Sequence, residues 1–301
     1  MARFLEPSTD LVDQETIRLE ILDQSRLQYV GNVFKYTTMK DEIFLLCSPY
    51  SEEHYINVFD RSNIAEVKEV IPLPGLRPNS IADCSVSNCV YVLNMKVHDH
   101  VSVMRIARDG EHWVVSMLIR EMCLPNSMLR VTPNGSLILS RDQSKRRDAI
   151  SVYDANGSLQ QTVRTPSDIS SIYKIIPKSG GDLVLFSHNE RSEIEFTEID
   201  LSGTIVRRHQ SPYDVDLFFP SEFIGQADQF GRVLIIQGAY GKQLLDSEFN
   251  PIDFTSPQLE GGQLIRHCDL HYNSERNEFV AVLYDRSSSN GILTIFRLSE
   301  I

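Results

Sequence analysis

Long apolar runs are missing from this chain. No stretch approaches the roughly 18 residues of a membrane span, and the start, Met1-Ala-Arg-Phe-Leu-Glu-Pro7, holds no apolar core of signal-peptide length. Helical periodicity is missing as well, since no amphipathic window is long enough to compete with alternating, strand-like patterns. Cysteine is scarce and odd in number, at five. Without a secretory signal that count argues for reduced, buried thiols rather than a disulfide framework. No Gly-x-Ser-x-Gly elbow and no phosphate-cradling Gly-rich loop occur, and the scattered Ser, His and Asp residues have no order that makes a triad. Cationic charge is in deficit, with 29 Lys and Arg against 41 Asp and Glu and a net charge of −12. Such a balance repels phosphate backbones and anionic lipid, which counts against nucleic acid and membrane as partners. A cytoplasmic protein is the expectation.

What is present is a repeat. The chain has 301 residues, 42% apolar and 23% charged, an ordinary globular composition. Asp60-Arg-Ser-Asn63, Asp154-Ala-Asn-Gly157, Asp200-Leu-Ser-Gly203 and Asp246 with Asn250 each follow one alternating apolar run and precede another. Asp60 and Asp154 stand two units of 47 apart, and the next two steps are 46 each. A displaced Asp109-Gly110 fills the skipped place. Asp and Asn in such turns bond their own backbone, and Gly supplies positive φ. Six short apolar runs, Ile43–Cys47, Val90–Leu93, Leu137–Leu139, Leu183–Phe186, Val233–Ile236 and Phe279–Leu283, mark six copies. Each is followed by an alternating run such as Ile150-Ser-Val-Tyr153, then, after the Asp turn, by a more polar one such as Ser158–Arg164. Four antiparallel strands per copy at this period specify an all-β, six-bladed β-propeller. The last copy lacks an outer strand after Leu298, and Thr16–Leu22 offers a spare one that would close the ring. The expected organisation is an N-terminal extension over 1–15 and one propeller over 16–301.

The copies resemble NHL repeats, the six-bladed relatives of WD-repeat propellers. Ala82–Asn94 followed by Val101-Ser-Val-Met104 carries the resemblance, as does Val131–Ser140 followed by Ile150–Gly157. It extends in degenerate form from about Ile43 to Leu298. The family's Asp-x-x-Asn-x-Arg segment is altered: Asn94 and Asp285 stand at its first position in two copies, and the Arg is missing from all. No Trp-Asp dipeptide exists, and the single Trp113 lies elsewhere.

In such a propeller, binding residues gather where loops lead into the innermost strands and join second strands to third. Pro78-Asn79-Ser80 and Pro125-Asn126-Ser127 lie 47 residues apart at such places, with Pro220-Ser221-Glu222 and Arg266-His267 matching later. Two readings stand for them. Asn79, Asn126 and Glu222 are oxygen donors suited to Ca²⁺, a hard cation. A similarity to gluconolactonase- and paraoxonase-type propellers implies metal-assisted lactone or ester hydrolysis there, with Asp41 or Glu42 as the nearby acid. Alternatively, the Pro sets the strand start and Asn and Ser tie a tight turn. His54, His98, His100, His188 and His267 allow a zinc site, as in zinc-dependent propeller lyases, but read better as solvated loop residues. Cys84 and Cys89 oppose each other across a hairpin, close enough for a disulfide, yet fit as small buried hydrophobes. Arg141, Lys145, Arg146 and Arg147 form a basic loop; tripartite-motif relatives bind RNA on that face. Here Asp142 and Asp148 interleave the cations, no stacking aromatics do, and Tyr50, Tyr240 and Tyr284 are candidate interface anchors. The function expected is therefore recognition of a protein or peptide, with no catalytic residues and no required cofactor. The Ca²⁺ hydrolase and the RNA-binding module are the alternatives.

Overall fold

A computed structural model describes residues 17–27, 33–47, 53–95, 100–122, 127–141, 150–189, 194–210, 223–237, 241–255, 270–284 and 291–300. Every regular element among them is a strand. After β1 (Ile17–Arg26), blade 1 is β2 (Val33–Met39), β3 (Glu42–Cys47), β4 (His54–Asp60) and β5 (Asn63–Leu73). Blade 2 is β6 (Pro78–Cys84), β7 (Cys89–Met95), β8 (His100–Asp109) and β9 (His112–Met122). Blade 3 is β10 (Ser127–Val131), β11 (Leu137–Arg141), β12 (Ile150–Tyr153) and β13 (Leu159–Val163). Blade 4 is β14 (Ile169–Pro177), β15 (Leu183–Asn189), β16 (Ile194–Ile199) and β17 (Ile205–Gln210). Blade 5 is β18 (Phe223–Ala227), β19 (Val233–Gln237), β20 (Gly241–Leu245) and β21 (Pro251–Ile252), followed by β22 (Phe254–Thr255). Blade 6 is β23 (Leu270–Asn273), β24 (Glu278–Tyr284) and β25 (Gly291–Glu300), completed by β1.

Ring closure follows the sequence expectation with one addition. β1 pairs antiparallel with β25 from Ile17↔Glu300 to Arg26↔Ile292, so the spare strand is the missing outer strand. The addition is β22, which leaves blade 5 and pairs parallel with β1 through Ile17↔Phe254 and Arg18↔Thr255. A salt-bridge network locks the seam. Arg61, in the β4–β5 turn, reaches Glu278 on β24 at 2.8 Å and Asp23 on β1 at 3.5 Å, and Arg297 on β25 meets Glu278 at 3.1 Å.

The core is six layers of side chains, one between each pair of neighbouring blades. Ile43, Leu45, Val280 and Leu293 meet between blades 6 and 1; Phe44, Leu46, Val90 and Val92 between blades 1 and 2. Cys89, Tyr91, Leu137 and Leu139 continue the pattern, then Ile138, Leu183 and Leu185, then Val184, Phe186, Val233 and Ile235. Leu234, Ile236, Phe279 and Ala281 complete the circle. Second strands are apolar at consecutive positions because both of their faces are covered. Outer strands read as polar because one edge and much of both faces meet water; β17 is mostly exposed.

The repeated Asp holds the hairpins at one end of the ring. Asp154 Oδ1 accepts from the Asn156 and Ser158 amides at 2.9 and 2.8 Å, and Asp200 and Asp246 repeat that geometry on Ser202 and Thr204 and on Glu248 and Asn250. The glycine of this turn has a second duty. A Cβ on Gly157 would meet Leu118 O at 2.9 Å, and one on Gly203 would clash with Arg164 O. The turn of each of these blades presses backbone to backbone on the preceding blade. Blade 5 does otherwise: Phe249 stands in the glycine position, at φ 66° and fully buried. Its ring stacks on Phe196 of blade 4 at 6.1 Å. Left-handed backbone costs a non-glycine residue about 1–2 kcal/mol, and burying a Phe side chain contributes about 1.5–3 kcal/mol, so burial offsets the strain.

Candidate functional site

Strand direction separates two faces of the ring. All hairpins joining first to second and third to fourth strands lie at one end, the turn face, and are short. The connections from second to third strands, and from each blade to the next, lie at the other end, the loop face. Their longest members, 142–149, 211–222 and 256–269, fall outside the described residues, as do 48–52 and 285–290.

Asn79 is the expected site residue that the structure describes best. The β6–β7 register shifts between Pro78 and Ser80, which makes Asn79 the extra residue of a bulge. Bulges re-aim a side chain and recur beside active sites. Pro78 and Ser80 are buried and Asn79 is half-buried. Beneath it, Asn94 Oδ1 accepts from the Arg77 amide at 2.6 Å and its Nδ2 donates to Ser102 Oγ at 3.2 Å. Asn94 is thus a buried clamp that fixes the start of β6. Arg141 ends β11 and pairs with Ser127; His188, on β15, pairs with Ser171 and Ile194. Both backbones therefore lie at the loop face with Asn79. Asn126, Glu222, Arg266, His267, Lys145, Arg146, Arg147, Tyr50, Tyr240 and His98 lie outside the described residues. Of His100 and Tyr284, which begin β8 and end β24, only the backbone is described.

One expectation is overturned. Asp41 and Glu42 were the acids available to a loop-face metal, but β2 runs from the loop face to the turn face, so both sit at the far end. Asp41 is engaged by Arg276, and Glu42 by Lys68 at 2.7 Å and Arg108 at 3.0 Å. Among the described residues no group of three or more His, Cys, Asp and Glu side chains is arranged to hold a metal.

Three polar features are not visible in the sequence motifs. Thr37, Asp83 and His271 meet on the innermost strands of blades 1, 2 and 6. Asp83 Oδ1 lies 2.8 Å from Thr37 Oγ1 and 3.1 Å from His271 Nε2, and Thr37 Oγ1 lies 3.5 Å from His271 Nδ1. Thr37 also accepts from the Asp83 amide at 3.1 Å and is fully buried. Thr37 bonds Asp83 through both its hydroxyl and the Asp83 amide, so the group braces three blades. Thr37 and Asp83 are 46 residues apart, the repeat spacing, which is the signal that places them side by side. Second, Ser140 and Ser187 stand one residue before Arg141 and His188, and among the described residues their buried hydroxyls have no hydrogen-bond partner, like His54 Nδ1 at the start of β4. Third, Lys242 follows the 238–240 connection on β20, and burial pushes its ammonium pKa down.

The cysteines described, Cys47, Cys84 and Cys89, are free and buried. Burial pushes the Cys47 thiol up to about 12 against an opposing hydrogen bond from Asn57. No helix among the described residues is long and apolar enough to cross a membrane.

No known family model matches the chain, and no curated protein matches it. Solved structures do. A protein of unknown function from Bacteroides caccae aligns over 78% of this chain and 80% of its own at 14% identity, with a TM-score of 0.50. Chaetomium thermophilum Raptor aligns over 95% of this chain and 29% of its own at 8% identity, with a TM-score of 0.53. Myxococcus xanthus glutaminyl cyclase aligns over 96% and 100% at 10% identity, with a TM-score of 0.47. At such identities the likeness is one of fold alone, and the fold of this chain is a six-bladed β-propeller.

Proposed function

We propose that this chain is a degenerate NHL-type propeller of the cytoplasm that recognises a protein or peptide segment on its loop face. The asymmetry of the two faces carries the reading. Turn-face hairpins are short and several are held by their own Asp side chains, whereas the loop face receives unequal connections bearing mixed charge and tyrosines. A stiff scaffold with variable loops at one end is the usual setting for binding, because less order is lost on association. The hydroxyls of Ser140 and Ser187, without a partner among the described residues, support a polar occupant, since buried polar atoms are ordinarily satisfied. Photo-crosslinking residues placed at loop-face positions Asn79, Arg141 and His188, and at turn-face Ser62 and Ser202, test it in cells. Discrete polypeptide adducts from the loop face alone are expected. Equal labelling from both faces, or none from the loop face, overturns the proposal.

A second reading rests on the bulge at Asn79: Ca²⁺ held at the channel mouth with Asn126 and Glu222, serving lactone or ester hydrolysis. A ligand that binds only the folded state raises its stability. Chelator-stripped protein whose melting temperature does not rise at millimolar Ca²⁺ would exclude this site; a rise lost in Asn79→Ala would establish it.

A further inference from the structure

Cys84 and Cys89 close the first hairpin of blade 2 as direct cross-strand partners. Partners in an antiparallel pair have Cα atoms about 4.5–5.5 Å apart, inside the roughly 4.4–6.8 Å that a disulfide spans. The two side chains point to the same side of the sheet, into the layer between blades 2 and 3. Both side chains are buried there. We propose that Cys84 and Cys89 are a redox-active dithiol, closed to a disulfide by a hydroperoxide and reopened by a thiol reductant.

The surroundings distinguish the two sulfurs. Hydrogen bonding from Cys89 brings the Cys84 thiol down to about 6, against burial and the Asp83 carboxylate. Cys89 moves the opposite way, first because Cys84 shares its proton and then because it is buried. Cys84 is the more acidic of the two, which gives it the nucleophile's role and Cys89 the resolving one, while Cys47, pushed up to about 12, has no thiol across from it.

The reaction balances. The Cys84 thiolate attacks one peroxide oxygen, the O–O bond breaks, and the departing hydroxide or alkoxide takes a proton. Cys84 is then a sulfenic acid, oxidised by two electrons. The Cys89 sulfur attacks Cys84 Sγ, the S–S bond forms, and the hydroxyl leaves as water with the Cys89 proton. Two thiols and hydrogen peroxide give one disulfide and two waters. Both sulfurs are buried, but the hairpin tip beside them is not: Val86 is 64% exposed, and Ser85 and Asn88 are exposed too. One turn hydrogen bond, Asn88 N–H to Ser85 O at 3.3 Å, closes that tip. Fraying of these residues admits a reagent as small as hydrogen peroxide.

The test uses the intact reduced protein at pH 7, dosed with hydrogen peroxide, quenched by alkylation and read by mass spectrometry. The folded wild type is expected to lose two thiols, become two hydrogens lighter, and yield a Cys84–Cys89 linked peptide that dithiothreitol reverses. Cys89→Ser should stop at a Cys84 sulfenic acid trapped by dimedone. Cys84→Ser should slow oxidation at Cys89 by at least about tenfold. Both thiols persisting in the folded wild type, oxidation of Cys84 past sulfenic acid without linkage, or linkage to another cysteine overturns the proposal. Should either serine variant fail to fold, the wild-type linkage map alone decides.

Discussion

Gly203→Ala separates two costs that the repeated turn combines. Gly203 has φ +87°, so alanine there meets the left-handed penalty of about 1–2 kcal/mol. Its new Cβ would also clash with Arg164 O, a backbone atom that moves only with the connection between blades 3 and 4. Overpacking of that kind adds about 1–3 kcal/mol, for a total near 2–5 kcal/mol. Gly181, in the first turn of the same blade, is the control. It has φ +95° and nothing within 4 Å of an added Cβ, so Gly181→Ala carries only the conformational cost. Urea unfolding of the three proteins, followed by far-ultraviolet circular dichroism, measures both. Gly203→Ala should lose at least about 1 kcal/mol more than Gly181→Ala. Equal losses would show that the turn does not bear on the neighbouring blade, and would remove the packing reason for the 46-residue recurrence of glycine between Gly157 and Gly203.

Phe249 tests the same position with the opposite solution. Phe249→Ala should cost about 3–5 kcal/mol, and Phe249→Gly about 1 kcal/mol less because it releases the backbone strain; urea midpoints in the reverse order would refute that account. At the seam, Arg61→Met leaves Glu278 buried with Arg297 as its remaining cation and should cost about 2–4 kcal/mol, whereas Lys68→Met at an exposed pair should stay within about 0.5 kcal/mol. Similar losses from both would mean that the seam network does not hold the ring. Acid should weaken the turns. The Ser62 hydroxyl lowers the Asp60 pKa, the Ser202 hydroxyl that of Asp200, and the Arg208 guanidinium that of Asp168, each from an ordinary value of 3.8. Folded values below unfolded ones mean stability fully present above 3.8 and lost as pH falls through the lower folded values. Asp200→Asn should therefore flatten the dependence of the urea midpoint on pH below 4, and an unchanged slope would contradict it.

The ring itself was legible because its turn chemistry is written in the chain. Asp60, Asp109, Asp154, Asp200 and Asp246 all fall between third and fourth strands, and the sixth blade has no such turn because its fourth strand comes from the other end of the chain. The apolar runs became second strands for the same direct reason: burial on both faces removes alternation. Other features left no local mark. The Asn79 bulge is a matter of register with β7, and β22 pairs with a strand far away in sequence. Phe249 looks like an ordinary apolar residue until its φ is known. The brace at Thr37, Asp83 and His271 joins three blades through residues that are individually unremarkable; only the 46-residue step between two of them hints at it. Asp41 and Glu42 lie at the turn face, and proximity in sequence to the first blade says nothing about which end of a strand faces the channel mouth.

Pairing β1 with β25 also sets a timetable. During synthesis β1 leaves the ribosome long before its partner, and at about 5–20 residues per second the intervening residues take on the order of 10–50 s. Five blades can form in order meanwhile, each stacking on the one before, but the first strand stays without its antiparallel partner and the blade 6–1 layer without one of its walls. The circle is sealed only once the last strand is free, so a nascent chain carries an unpaired edge for most of its birth. Anything that recognises bare strand edges, whether a chaperone or a second nascent copy, has that interval in which to act.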